Sequence, residues 1–329
     1  TTDGQGGVMR ALVTGGTGFV GSAVVRALLQ ERFQVACLVR SNSDLRNLEG
    51  LDVTLVEGDL GDRAALEQAL RGCQHLYHVA ACYSTRPDAA AEMFRVNVEG
   101  TRNVLSAAAE AGVAAIVHTS TIGTIGRPKG NRLPNEADVF NEWKTASPYA
   151  RSKLEGERIA LELASQGAPV VVVNPCAPVG ERDIKPSSTG ARIVAYLRGQ
   201  TPSYLPGGIN FVPVEDVARG HLLAAWLGKP GERYILGHAE GNLQLADFYA
   251  LMERVSGLAA PQAGRFGPRR LVAALRSWLR PEKPRPVGFR PAALTADPTR
   301  AIRELGLSQT PLEEAFGRAV AWFRANGYV

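Results

Sequence analysis

Tyr149 and Lys153 stand four residues apart in a stretch, Pro148 to Ser165, whose composition reads as helix. At that spacing two side chains share one helix face, so their polar tips can meet a single ligand. A cationic Lys beside a phenol favours the phenolate and draws a Tyr pKa from its reference of about 10 toward neutral pH, which makes the phenol a usable acid or base. Tyr-x-x-x-Lys alone recurs by chance. Its context is Thr119-Ser120-Thr121, at the end of a strand predicted over Ala115 to Thr119. Ligands collect at that edge of open parallel sheets, and the plain alternative is a set of strand-end caps.

Thr14-Gly15-Gly16-Thr17-Gly18-Phe19-Val20-Gly21 follows the apolar run Ala11 to Val13 and opens a helical stretch that reaches about Glu31. A dinucleotide pyrophosphate needs a tight turn, a backbone with no Cβ in the way and a helix N-terminus facing its charge. The plain alternative is a tight strand-to-helix turn. Leu38-Val39-Arg40-Ser41 ends the second strand without the carboxylate that would take a ribose 2′-hydroxyl. Arg40 suits a 2′-phosphate instead, with Arg46 assisting, which favours NADP(H) over NAD(H); otherwise Arg40 is a solvated loop residue. In Gly58-Asp59-Leu60 the Asp59 carboxylate can accept from an adenine amino group, or is simply an Asp in a turn.

Short β-branched runs alternate with amphipathic stretches through the first half of the chain. Strands are expected at Ala11 to Val13, Gln34 to Val39, Val53 to Val56, His75 to Val79, Ala115 to Thr119 and Val170 to Val173. Helices are expected at Gly18 to Glu31, Arg63 to Arg71, Ala89 to Ala111 as one long element, and Pro148 to Ser165. That order predicts βαβ units, hence an α/β doubly wound parallel sheet of Rossmann type. After Pro175, proline and glycine punctuate isolated elements: helices near Thr189 to Leu197 and Glu215 to Leu227, strands near Asn210 to Val212 and Tyr234 to Leu236. These imply a smaller mixed C-terminal substrate lobe. The expected division is a flexible leader over 1–8, a nucleotide-binding domain over 9–175 to which 209–236 returns, and a lobe over 176–329.

The 329 residues carry a net charge of +5, with 45% hydrophobic residues, the balance of a globular chain. Between Arg265 and Arg290 eight basic residues meet one Glu, a local +7, so the rest of the chain sums to −2. That concentration argues against a nucleic-acid-binding surface. The 265–290 segment reads as a basic helix with snorkelling arginines, a pocket cap or a peripheral membrane contact. No apolar run approaches the roughly 20 residues that span a bilayer. Cys37, Cys73, Cys82 and Cys176 are scattered, without C-x-x-C spacing, so neither a disulfide framework nor a metal site is expected, and a cytoplasmic location fits.

Taken together these marks resemble the extended short-chain dehydrogenase/reductase (NAD-dependent epimerase/dehydratase) family over nearly all of Met9 to Leu236. The likeness adds H-V-A-A at His78 to Ala81, N-V-E-G-T at Asn97 to Thr101, Y-A-R-S-K at Tyr149 to Lys153, and N-P at Asn174 and Pro175. Within the family the chain is similar to the dihydroflavonol-4-reductase-like and hopanoid-associated sugar epimerase branch, through N-P-C-A-P-V-G at Asn174 to Gly180 and D-V-A-R-G-H at Asp216 to His221.

The resemblance implies that Thr121 binds the substrate oxygen, Tyr149 handles the proton, and Lys153 contacts the ribose and tunes Tyr149. It also implies a cofactor cradle of Gly15, Thr17, Gly18, Phe19, Val20, Arg40, Asp59, Leu60, Ala80, Ala81, Thr119, Tyr149, Lys153 and Pro175, with Asn97 in the helix behind. Family epimerases carry an arginine where Ile209-Asn210-Phe211-Val212-Pro213 has none, and 4,6-dehydratases carry acids where Ile122 and Gly123 follow Thr121. The expectation is therefore an NADP-dependent oxidoreductase acting on a carbonyl or secondary alcohol. A nucleotide-sugar epimerase and a non-catalytic NADP-binding sensor are the alternatives. Candidate pocket walls are Tyr83, Phe140, Trp143, Pro178 and Tyr204, and the family suggests a homodimer.

Overall fold

The computed structural model describes residues 8–84, 87–143, 146–205, 207–261 and 293–329. The leader up to Gly7 and the basic 265–290 segment lie outside these described residues. Seven strands form the large sheet: β1 (Arg10–Thr14), β2 (Gln34–Val39), β3 (Val53–Glu57), β4 (His75–His78), β5 (Ala115–Thr119), β6 (Val170–Pro175) and β9 (Arg233–Leu236). Their order is β3-β2-β1-β4-β5-β6-β9, every pairing parallel. The order reverses between β1 and β4, which opens a crevice at their C-terminal ends. Strands such as Val170–Pro175 are buried along their whole length, because helices cover both faces of a parallel sheet.

One face lies under α1 (Phe19–Gln30), α7 (Val214–Leu227) and α9 (Thr299–Leu305), through Val24, Val25, Leu28, Val217, Leu222, Ala301 and Leu305. The other lies under α2 (Arg63–Leu70), α4 (Thr101–Glu110) and α5 (Pro148–Ser165), through Leu66, Val104, Leu105 and Ala160. The smaller lobe has a mixed sheet of β7 (Ala177–Val179), β8 (Ile209–Pro213) and β10 (Asn242–Leu243), with β7 parallel and β10 antiparallel to β8. Against it pack α6 (Ser188–Leu197), α8 (Leu245–Ser256) and α10 (Leu312–Ala325). The expected α/β doubly wound sheet with a smaller mixed lobe is what the chain forms. Within 209–236, β8 belongs to the small sheet, whereas α7 and β9 complete the large one.

The single helix expected over Ala89 to Ala111 is instead jointed. A 3-10 turn (Pro87–Ala89), α3 (Ala90–Phe94) and a π-helical turn (Arg95–Gly100) precede α4. The cause sits at Asn97. Its carbonyl accepts from Thr101 Oγ1 at 2.8 Å, and a Cβ on Gly156 of α5 would lie 2.5 Å from that same oxygen. The wider turn turns the buried Asn97 amide inward, where it meets both the N–H (2.7 Å) and the C=O (2.9 Å) of Cys82.

Candidate active site

The first βα turn is shaped by what it excludes. Gly15 has φ +72°, and a Cβ there would meet Ala80 N at 2.6 Å; a Cβ on Gly21 would meet Gly15 O at 2.0 Å. Gly18 caps α1 with extended backbone and no side-chain cap, so no side chain occupies the amides of the first turn, Phe19 and Val20. The turn is braced from outside by Asn47 Nδ2, which donates to Thr17 O at 3.1 Å. From beneath, Thr14 Oγ1 contacts His78 Nδ1 at 2.7 Å and accepts from Ala80 N at 3.3 Å. A bare helix N-terminus over a turn with glycine at three of its four positions, Gly15, Gly16 and Gly18, fits a dinucleotide pyrophosphate.

At the end of β2, Arg40 is exposed, and its backbone N–H donates to Ser43 Oγ at 3.0 Å. Arg46, the expected assistant, is instead engaged by Asp44, with Nε to Oδ1 at 3.0 Å and Nη2 to Oδ2 at 2.7 Å. Those hydrogen bonds hold the Asp44 carboxyl down at about 2. Asp59 accepts from Gly61 N at 3.1 Å and pairs with Arg95 Nη1 at 3.3 Å, while Leu60 packs against Gly100. Ala80 and the exposed Ala81 follow β4 and border the same crevice.

Helix α5 starts on a Ser147 cap, whose side chain accepts from Ala150 N, with Pro148 at its first position, two strong start signals. Tyr149 and Lys153 fall on its inner face. Lys153 is 2% exposed and its Nζ donates to Thr119 O at 2.7 Å, anchoring α5 to the end of β5. Burial pushes the ammonium down to about 8, opposed by the Glu157 carboxylate. Below it, His78 and His118 stack at 5.4 Å. Burial holds both neutral: His78 falls to about 3 and His118 well below its ordinary value. The expected lowering of the Tyr149 phenol is reversed in the free protein, because burial and then the nearby Tyr83 hydroxyl push it up. The Tyr149 hydroxyl makes no hydrogen bond among the described residues, and Tyr83 meets its ring edge-on at 4.9 Å. Thr121, half-buried, caps a 3-10 turn (Ile122–Thr124) by accepting from Gly123 N at 3.2 Å.

Of the expected pocket walls, Tyr83 is 59% exposed beside Tyr149, and Pro178 is half-buried in β7. Phe140 is buried against Trp143, whose ring lies 4.7 Å under the Arg158 guanidinium. Tyr204 is half-buried at the margin of the lobe core, its ring packed on Phe211 and Phe248 and its hydroxyl donating to Leu243 O at 2.7 Å.

One set of residues escaped the sequence reading. Glu157, one turn beyond Lys153, gathers Ser120, Thr124, Asn174 and Arg233 around its carboxylate. The only available signal was its i+4 spacing from Lys153. Among the described residues no group of three His, Cys, Asp or Glu could hold a metal.

A model of the NAD dependent epimerase/dehydratase family matches residues 11–237. A Synechocystis protein provisionally named a dihydroflavonol 4-reductase is 40% identical, over 96% of this chain and 95% of its own length. Sterol demethylase protein B of Methylococcus capsulatus is 36% identical, over 98% and 100%. Among solved structures, gox2253 superposes with a TM-score of 0.83 at 36% identity, covering 97% of this chain and 99% of that one. PA4631 of Pseudomonas aeruginosa, named a nucleoside-diphosphate-sugar epimerase, does so at 0.79 and 27% identity, over 97% and 99%.

Proposed function

The chain belongs to the NAD dependent epimerase/dehydratase family, and on that premise we propose that it is an NADP(H)-dependent reductase of a carbonyl compound, with Tyr149 as proton donor. The carrying observation is the arrangement at the sheet edge: the Tyr149 hydroxyl makes no hydrogen bond among the described residues, the buried Lys153 ammonium lies one turn along the same helix face, and Thr121 follows the adjoining strand. Bound at the glycine turn, the nicotinamide dinucleotide would supply the hydride.

Tyr149 Oη gives its proton to the substrate oxygen, and Thr121 Oγ1 donates a hydrogen bond that holds that oxygen. Burial raises the phenol, so it stays protonated at neutral pH, which suits the reducing direction. Lys153 Nζ, fixed on Thr119 O, keeps a cation under the phenolate as it forms. Arg40, exposed at the end of β2, takes the 2′-phosphate.

The epimerase alternative has the likeness to PA4631 in its favour. Against it, β8 is buried over its whole length, and its one polar side chain, Asn210, is spent on the N–H and C=O of His238. That strand offers nothing to grip a sugar diphosphate. The test is a fluorescence titration with NADPH and NADH, followed by a carbonyl panel read through the cofactor's absorbance, on the parent and on Tyr149→Phe. Turnover should fall by about 10²- to 10⁴-fold in the variant while NADPH affinity is kept. Retained turnover in Tyr149→Phe, or tight NADPH binding with no turnover on any carbonyl, overturns the proposal.

A further inference from the structure

We propose that Glu157 is a positioning residue of the proton-transfer site, a buried carboxylate that locks the Thr121 loop to the helix of Tyr149 and Lys153 and supplies the counter-charge for the Lys153 ammonium. This rests on the catalytic reading of Tyr149, Lys153 and Thr121 given above.

Tyr149, Lys153 and Glu157 follow at steps of four on α5, so one helix face carries a phenol, an ammonium and a carboxylate in line. Glu157 is 1% exposed. Its Oε2 lies 2.5 Å from Ser120 Oγ, 2.6 Å from Thr124 Oγ1 and 2.9 Å from Asn174 Nδ2, and its Oε1 accepts from Arg233 Nη1 at 3.0 Å. Four donors around two oxygens are what an ionised, acceptor-only carboxyl group requires.

These partners come from the loop after β5, from β6 and from β9, so one carboxylate ties three strand ends to α5. Two of them, Ser120 and Thr124, flank Thr121 in the chain. Asn174 Nδ2 also donates to Thr121 O at 3.1 Å, and the single Thr124 Oγ1 proton is shared between Glu157 and that same oxygen, 2.8 Å away. The backbone that aims the Thr121 hydroxyl is therefore fixed by the Glu157 cluster.

A staple alone would not need a charge, because a buried ion pair replaced by apolar groups of similar volume is often no less stable. The charge has a use one turn away. Lys153 faces Tyr149 and Glu157 on its own helix, His118 on β5 and His78 on β4, and both imidazoles are neutral. Glu157 is thus the carboxylate that favours the Lys153 ammonium against its burial. Glu157 faces Arg233, whose Nη2 passes on to the backbone oxygens of Glu136 and Asp138.

The chain has six lysines, so the full-length ligand-free protein labelled with ¹³C at lysine Cε gives few enough signals to titrate, with Lys153→Arg identifying the one of interest. The Lys153 midpoint is expected near 8 in the parent. In Glu157→Gln it should fall by about one pH unit, because the attraction of the carboxylate is lost. In Arg233→Gln, which breaks the cluster from its other side but keeps the carboxylate, it should not fall. The alkaline limb of the kcat profile should move down with the midpoint in Glu157→Gln, and Glu157→Asp should restore most of both.

A purely structural Glu157 would weaken both variants alike and leave the Lys153 midpoint in place, and that outcome overturns the proposal. Should Glu157→Gln fail to fold, the double variant Glu157→Gln, Arg233→Gln, which leaves no buried guanidinium unpaired, is read instead, and a Lys153 midpoint unchanged from the parent there has the same force. The lysine titration needs no turnover, so it stands or fails separately from Tyr149→Phe.

Discussion

The crevice edge of the large sheet and the core of the smaller lobe are filled in opposite ways. At the edge the buried groups are polar: Thr14 with His78, Thr119 with His221, and Glu157 with its four partners, each placed so that its hydrogen bonds join strands and helices far apart in sequence. In the lobe Tyr196, Phe211, Phe248 and Phe316 close on one another as rings, with centroids 5.3–6.4 Å apart. A polar core fixes directions, because hydrogen bonds are directional and an unmade one inside a protein is costly. An aromatic core supplies area and shape. The proposed chemistry needs the directional kind of core, and the edge is where the chain has it.

The comparison breaks most readily at Phe248, which is fully buried and touches Tyr196, Tyr204, Phe211 and Phe316. Phe248→Ala should lower stability by about 3–5 kcal/mol in chemical denaturation, through lost burial and the cavity left behind. Titrated below its unfolding transition, the variant should still bind NADPH with the parent's Kd, since no cradle residue lies in that cluster. A parallel loss of affinity would show that the lobe core reaches the cradle and that the division just drawn is false.

A smaller effect sharpens the other half. Arg40→Asp exchanges an exposed cation at the end of β2 for the carboxylate that a ribose 2′-hydroxyl prefers. The NADPH Kd should rise by about 10- to 100-fold, the scale of one charged hydrogen bond, while the NADH Kd falls or holds. Equal Kd values in parent and variant would remove Arg40 from the cradle.

What the chain disclosed in advance follows from how local each device is. The glycine turn and the Tyr149–Lys153 pair are legible because a few adjacent residues carry the whole geometry. The doubly wound sheet is legible because helical and strand periods alternate. The Glu157 cluster is not, since its members stand at 120, 124, 157, 174 and 233 and meet only when β5, β6 and β9 lie side by side. Nor is the π-helical turn at Arg95–Gly100, because the apolar period runs through it unbroken and the cause, Gly156, lies on another helix. The packing of Tyr204 is not legible either, because an aromatic residue among loop signals reads alike whether it lines a pocket or borders a core.

The finest test concerns Arg46, where the two kinds of environment meet at the surface. Asp44 grips its guanidinium through two oxygens, so a cation near the end of β2 is already spent. The Asp44 carboxyl is held at about 2, below its ordinary value, so it stays ionised in moderate acid. Moderate acid cannot free Arg46; only substitution can. Asp44→Asn should tighten NADPH binding by about two- to fivefold, the range of an exposed ion pair, with the gain shrinking as salt is raised. NADH, which lacks the 2′-phosphate, should bind as before. If both cofactors gain equally, the released arginine reaches the shared pyrophosphate, and selectivity at this edge rests on Arg40 alone.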